Sequence, residues 1–313
     1  MSRESDRPLY LLAFDHRASF SKGLFGISGR PQEEQKRRIS LAKRIIFEGA
    51  LRAVAEGTIP EGAAGILVDE EFGGRIARDA RRQGLALAMP VEKSGQAEFE
   101  LEFGDAFGAH IEDFDPDYVK VLVRYNPEGN HAMNLRQASR LAHLSQWLKE
   151  RRRKFLFELL IPAEPSQLAF VGGKTDRYDR EVRPRLLLQT IRELNASGVE
   201  PEVWKIEGLD ARADCEAAVA AAREAGRSDV SCIVLGRGAD DKRVEAWLQA
   251  AAGVPGYRGF AIGRTLWWDA LVAWRDGVVD EKEAAKRIAA KYCHMARVYE
   301  RASESAMAPL KQL

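Results

Sequence analysis

Short apolar runs separated by long amphipathic stretches recur along the whole chain, and this alternation limits what it can fold into. Eight runs read as β-strands: residues 9–14, 64–68, 85–89, 118–123, 155–161, 203–206, 230–235 and 259–262. They are rich in Val, Ile, Leu and Phe, as suits strands buried on both faces. Between them the apolar residues fall near helical spacing. In residues 31–56, Ile39, Ala42, Ile45, Ile46 and Ala53 mark one face. Further helices are predicted over 75–83, 134–153, 183–196, 214–225, 242–251, 267–274 and 281–300. Alternating strands and helices argue for an α/β fold with a parallel sheet. Eight such units in 313 residues argue for a closed (β/α)8 TIM barrel, one domain spanning residues 1–313. An open doubly wound sheet is the competing reading. Its usual mark is a glycine-rich turn after the first strand, where this chain has Asp15-His16-Arg17.

Composition removes several classes of function. The formal net charge is +1, which points to neither a nucleic-acid nor a membrane partner. The basic runs at 36–38 and 151–154 lie in polar helical stretches and read as solvated faces. No apolar run reaches the length of a membrane span. The charged residues 1–7 have no apolar signal core. Cys215, Cys232 and Cys293 are far apart and odd in number, which suits a reducing cytoplasm and gives no disulfide framework. His16, His110, His131, His143 and His294 are scattered and read as surface or core residues. No group has metal-ligand spacing, so neither a metal nor another cofactor is expected. The Trp-rich stretch 266–274 is either core or a subunit contact in a homo-oligomer, and core is the expectation.

The carboxyl ends of barrel strands form the active-site face. Here those ends carry Asp15, Asp69, Glu92, Lys93, Lys120, Glu158, Lys205, Arg237 and Arg264. Charge beside buried strands is costly unless it is paired or used. A solvated rim would explain some of these residues. It explains Lys120, Glu158 and Lys205 less well, because each lies inside an apolar run. A structural ion-pair network competes with a catalytic set. A buried lysine that loses its charge attacks a carbonyl to form a Schiff base. Lys205 is the first candidate and Lys120 the second. Lys120 would then act on Lys205 by like-charge repulsion, and Glu158 would shuttle protons. Glu207, two residues beyond Lys205, is expected on the same side. The glycine–arginine pairs Gly236-Arg237 and Gly263-Arg264 end the last two strands, where barrels often bind phosphate.

These residues also carry a resemblance. Leu12-Ala13-Phe14-Asp15-His16-Arg17, Val68-Asp69-Glu70-Glu71-Phe72-Gly73 and Pro90-Val91-Glu92-Lys93-Ser94-Gly95 resemble segments of one aldolase family. So do Val119-Lys120-Val121-Leu122-Val123-Arg124-Tyr125-Asn126-Pro127, Phe157-Glu158-Leu159-Leu160 and Trp204-Lys205-Ile206-Glu207-Gly208. The last two are Leu235-Gly236-Arg237-Gly238 and 259–264. The family is the C-terminal aldolase domain of bifunctional 5-dehydro-2-deoxygluconokinases, assigned to 2-deoxy-5-keto-D-gluconate 6-phosphate in inositol breakdown. The chain is similar, more distantly, to class I tagatose-bisphosphate and sulfofructose-phosphate aldolases. The resemblance implies a Schiff-base lysine at Lys205, a catalytic glutamate at Glu158, a second lysine at Lys120 and a phosphate contact at Gly263-Arg264. Asp15, Asp69, Lys93, Arg124, Gly236 and Arg237 complete the expected contacts with a phosphorylated sugar. No kinase segment precedes the first strand, so another protein is expected to supply the phosphorylated substrate, or the sugar differs. Against an aldolase stands a barrel that binds a sugar phosphate without turning it over; such a binder needs no nucleophile.

Overall fold

The computed structural model describes residues 7–308. Eight strands run in parallel: β1 (Leu9–Ala13), β2 (Ala64–Leu67), β3 (Ala86–Pro90), β4 (Tyr118–Arg124), β5 (Lys154–Leu160), β6 (Val203–Glu207), β7 (Ser231–Leu235) and β8 (Tyr257–Ile262). They pair in chain order, and β8 returns to β1 through the register Leu11 with Ala261, so the sheet closes into a (β/α)8 barrel. A register shift between β7 and β8 falls beside Gly259, whose φ of 147° places it in a region that L side chains rarely adopt. A Cβ at that position would collide with the Leu9 carbonyl.

Side-chain alternation divides the apolar residues of the strands. Leu9, Leu11, Leu67, Ala88, Leu156, Val203, Ile233 and Ala261 belong to a small inner core. Tyr10, Leu12, Ile66, Val121, Phe157, Trp204 and Val234 belong to the much larger core between barrel and helices. Stepping up the inward face by two, Tyr118 is followed by Lys120, Leu156 by Glu158 and Val203 by Lys205. The period that fills the lower barrel with apolar groups therefore delivers three charges to its upper layer.

The helix Glu33–Ala55 packs on the closing helix Glu281–Met307. Gly49 permits their close approach, since a Cβ there would lie 2.7 Å from Ile288 Cγ2. The stretch 266–274 falls in the helix Arg264–Arg275 and buries Leu266, Trp267 and Leu271 in the core. Trp267 donates its indole N–H to the Ala13 carbonyl at 3.0 Å.

Four short helices were not predicted from sequence: Ala18–Phe25, Phe107–Phe114, Pro165–Phe170 and Thr175–Glu181. Each is too short for its apolar residues to display a period. The helix after β2 begins at Glu70, not at residue 75, because Asp69 caps it. Its Oδ1 accepts the Phe72 N–H at 2.9 Å, and Glu70 and Glu71 lie in the first turn, where the helix dipole favours acids. Cys215, Cys232 and Cys293 are buried and free. No helix among the described residues is long and apolar enough to cross a membrane. Of the charged N-terminal stretch 1–7, residues 1–6 lie outside the described residues.

Candidate active site

A cavity of about 330 Å³ opens at the carboxyl ends of the strands, and Asp15, Lys120, Glu158 and Lys205 line it. In the β5–β6 register Glu158 stands beside Lys205, and Lys205 Nζ lies 2.9 Å from Glu158 Oε1. The other carboxylate oxygen, Oε2, lies 3.0 Å from Lys120 Nζ. Lys120 also meets Asp15 Oδ2 at 2.8 Å and Glu92 Oε1 at 2.6 Å. Burial alone would push Lys120 down. Asp15, Glu158 and Glu92 outweigh it and hold the ammonium far above the ordinary lysine range. Among the described residues Lys205 has one carboxylate partner where Lys120 has three.

The three acids differ in turn. Burial works to raise Asp15, but Lys120, His16 and Lys205 hold it well below the usual carboxylate range. Glu158 is likewise held below that range by Lys120 and Lys205, against the effect of burial. Glu92 goes the other way: burial raises it, and Lys120 offsets only part of the rise. Asp15 and Glu158 are therefore the anions of the cluster, and Glu92 is the carboxyl that most readily keeps a proton.

The β1 wall is held from outside the barrel. Lys43, fully buried on the helix Glu33–Ala55, donates to the carbonyls of Phe14 and His16, each at 2.9 Å, and pairs with Asp69. This fixes the short segment that carries Asp15 and His16. The imidazole of His16 lines the cavity, stands edge-on to Trp267 at 5.9 Å and has Nδ1 3.9 Å from Asp15 Oδ1. Burial pushes it down to about 4, against the pull of Asp15 and Glu158.

Gly236, Arg237, Gly238, Gly263 and Arg264 gather on one side of the cavity mouth. Arg237 has a φ of 54° and Gly238 one of 72°, so the chain turns sharply after β7. A Cβ on Gly238 would stand 2.7 Å from the Arg264 guanidinium. Arg264 donates to the Arg237 carbonyl at 3.2 Å and has no carboxylate partner among the described residues. Arg237 is already engaged, at 2.8 Å to Asp179 and 3.1 Å to Glu207. The other side carries Arg124, whose Nη1 donates to the Gln96 carbonyl at 3.0 Å, and Lys93, which sits 3.5 Å from Glu100. β4 and β8 are four strands apart either way round, so Arg124 and Arg264 rise from opposite walls.

Two expectations are corrected. Asp69 is not a substrate contact: it is fully buried, caps a helix and neutralises Lys43. Nor does Glu207, expected on the same side as Lys205, join it at the cavity. Its carboxylate accepts the Ile161 N–H at 2.9 Å and meets Arg237, outside the cavity lining. Sequence reasoning also left out of the site two residues that stand against Lys120 and Asp15. Glu92 was visible as a strand-end charge but was not placed in the site. His16 gave only its position beside Asp15 at the end of β1. No group of three or more His, Cys, Asp or Glu among the described residues is arranged to hold a metal ion.

The profile of a bacterial family, described as uncharacterized protein conserved in bacteria (DUF2090), matches residues 1–303. The chain belongs to this family. No curated protein matches the DUF2090 chain. Among solved structures it is similar to Cgl0159 from Corynebacterium glutamicum, with 18% identity, a TM-score of 0.58, and coverage of 96% of this chain and 88% of that one. It is also similar to a fructose-bisphosphate aldolase from Plasmodium falciparum, solved with TRAP and a small-molecule inhibitor. That match has 12% identity, a TM-score of 0.65, and coverage of 92% and 89%. At these identities the DUF2090 chain and its structural neighbours share a fold.

Proposed function

We propose that this protein is a class I aldolase, a lyase that cleaves a phosphorylated keto sugar through a Schiff base on Lys205. The observation that carries the reading is the buried Lys205 Nζ, 2.9 Å from Glu158 on the wall of an open cavity. Lys120, ringed by three carboxylates, is held as a cation and cannot supply the free amine that attack on a ketone requires. Glu158 bonds directly to Lys205 and exchanges protons with the carbinolamine as water leaves and the iminium forms. Lys120 keeps Glu158 anionic and its charge lies where a substrate oxygen would gather negative charge. Asp15 and Glu92 hold Lys120 in place.

The cation pattern of the mouth supports a substrate with an anionic group at each end. Arg264, beside the glycine turn of residues 236–238, is free for a phosphate; Arg124 and Lys93 face it across the cavity. The resemblance narrows this to 2-deoxy-5-keto-D-gluconate 6-phosphate, giving dihydroxyacetone phosphate and malonate semialdehyde. The fructose-bisphosphate aldolase of the same fold from Plasmodium falciparum agrees with the reaction type. Borohydride reduction in the presence of dihydroxyacetone phosphate tests the reading. A stable adduct mapped to Lys205 is the expected result; an adduct on Lys120, or on no lysine, removes it.

A further inference from the structure

Glu158 is poorly suited to every proton transfer an aldol cleavage needs. Both of its oxygens are engaged by lysine side chains, one by Lys205 and one by Lys120. Beyond imine formation, the reaction must take a proton from the hydroxyl next to the breaking bond. It must then put a proton on the carbon left behind. Opposite Glu158, four strands away either way round the barrel, stands His16 at the end of β1. Its side chain keeps 30% exposure, toward the cavity that it lines, while Nδ1 is buried without a hydrogen-bond partner. The ring is confined: Trp267 meets it edge-on, and a Cβ on Gly263 would stand 3.2 Å from its Cε1. Lys43 fixes its backbone from behind. Asp15, Glu158, Lys205 and Arg264, whose charges act on it, line the same cavity as the ring. Burial keeps the imidazole neutral at neutral pH, with a lone pair to accept a proton.

We propose that His16 is a catalytic residue that moves the proton at carbon, while Glu158 serves the nitrogen of Lys205. The inference rests on the aldolase reading. The imidazole accepts the hydroxyl proton as the carbon–carbon bond breaks. The electron pair of that bond flows into the iminium, giving an enamine on Lys205, and the aldehyde leaves. The imidazolium then returns the same proton to the enamine carbon. This restores the iminium, which water hydrolyses. No other reactant is consumed.

Exchange of dihydroxyacetone phosphate hydrogens with D2O isolates the carbon step, and borohydride trapping isolates imine formation. The wild-type protein is expected to show both. His16→Gln and His16→Asn should keep the adduct on Lys205 while deuterium incorporation and sugar cleavage fall about 100-fold or more. Retained trapping also shows that each variant is folded. Exchange at the wild-type rate in both variants overturns the role of His16 alone. Loss of trapping in both variants overturns it too, by placing the ring in imine formation or folding. A wild-type protein with no adduct removes the aldolase reading, and this inference with it.

Discussion

Glu158 gives one carboxylate oxygen to Lys205 and the other to Lys120, at 2.9 and 3.0 Å. The two lysines are thus linked through a single acid, yet their surroundings differ. Lys120 has two further carboxylates to itself, whereas Lys205 depends on Glu158.

That difference makes the lysines separable by substitution. Lys205→Met keeps the length of the side chain and removes the amine, so adduct and turnover should both vanish. Lys120→Met should slow turnover and leave some trapping at Lys205. It also strands Asp15, Glu92 and Glu158 as buried acids without their shared cation. Breaking a buried ion pair costs about 3–5 kcal/mol, so the melting temperature should fall clearly. Wild-type thermal stability in Lys120→Met would contradict the geometry of the cluster.

The two arginines after β7 and β8 should behave differently. Arg264→Ala removes a guanidinium that no acid engages among the described residues. A charge-assisted contact is worth about 1.5–3 kcal/mol, so kcat/KM for a phosphorylated substrate should drop about 10- to 150-fold. Arg237→Ala should act more weakly on KM, because Asp179 and Glu207 already occupy that side chain. Steady-state kinetics on the pair decide it; an unchanged Arg264→Ala would move the phosphate elsewhere.

Acid should affect activity late. Burial pushes His16 down to about 4, and in the role proposed for it the neutral ring accepts a proton. The active fraction therefore stays full as pH falls through the ordinary histidine value of about 6.5. It is lost as pH falls through about 4. The pH profile of kcat/KM should carry no acid limb near 6.5 due to this residue, and a limb there that disappears in His16→Gln would refute the burial argument.

Asp69 should register in stability before it registers in chemistry. Asp69→Ala removes a helix cap and leaves Lys43 buried beside two carbonyls without its acid. A loss of about 3–5 kcal/mol in denaturant unfolding is expected. A stable Asp69→Ala protein with raised KM would restore the substrate contact that its burial and its pairing with Lys43 argue against.

How far these features could be read in advance depended on where their partners lay. The eight strands were legible because their apolar runs are local. Lys120, Glu158 and Lys205 stood out because a charge inside such a run has no local explanation. Asp69 also lies at a strand end, but the cap that claims it begins one residue later, and Lys43 sits on the helix before it. Glu207 obeys strand alternation, yet Arg237 and the Ile161 N–H draw its carboxylate aside. His16 is confined by Gly263 and Trp267, from the far end of the chain, and no sequence spacing encodes that meeting.

On the aldolase reading, Arg124 and Arg264 on opposing walls bear on how products depart. A ligand with an anion at each end is held as a bivalent guest, and the second contact gains from the high effective concentration that the first creates. Scission between the ends turns one bivalent guest into two monovalent ones. Neither fragment spans the mouth, so the avidity that gathered the substrate is dissolved by the bond cleavage itself. In the proposed mechanism the half without a covalent tie to Lys205 is then free to leave first, so the imine sets the order of release.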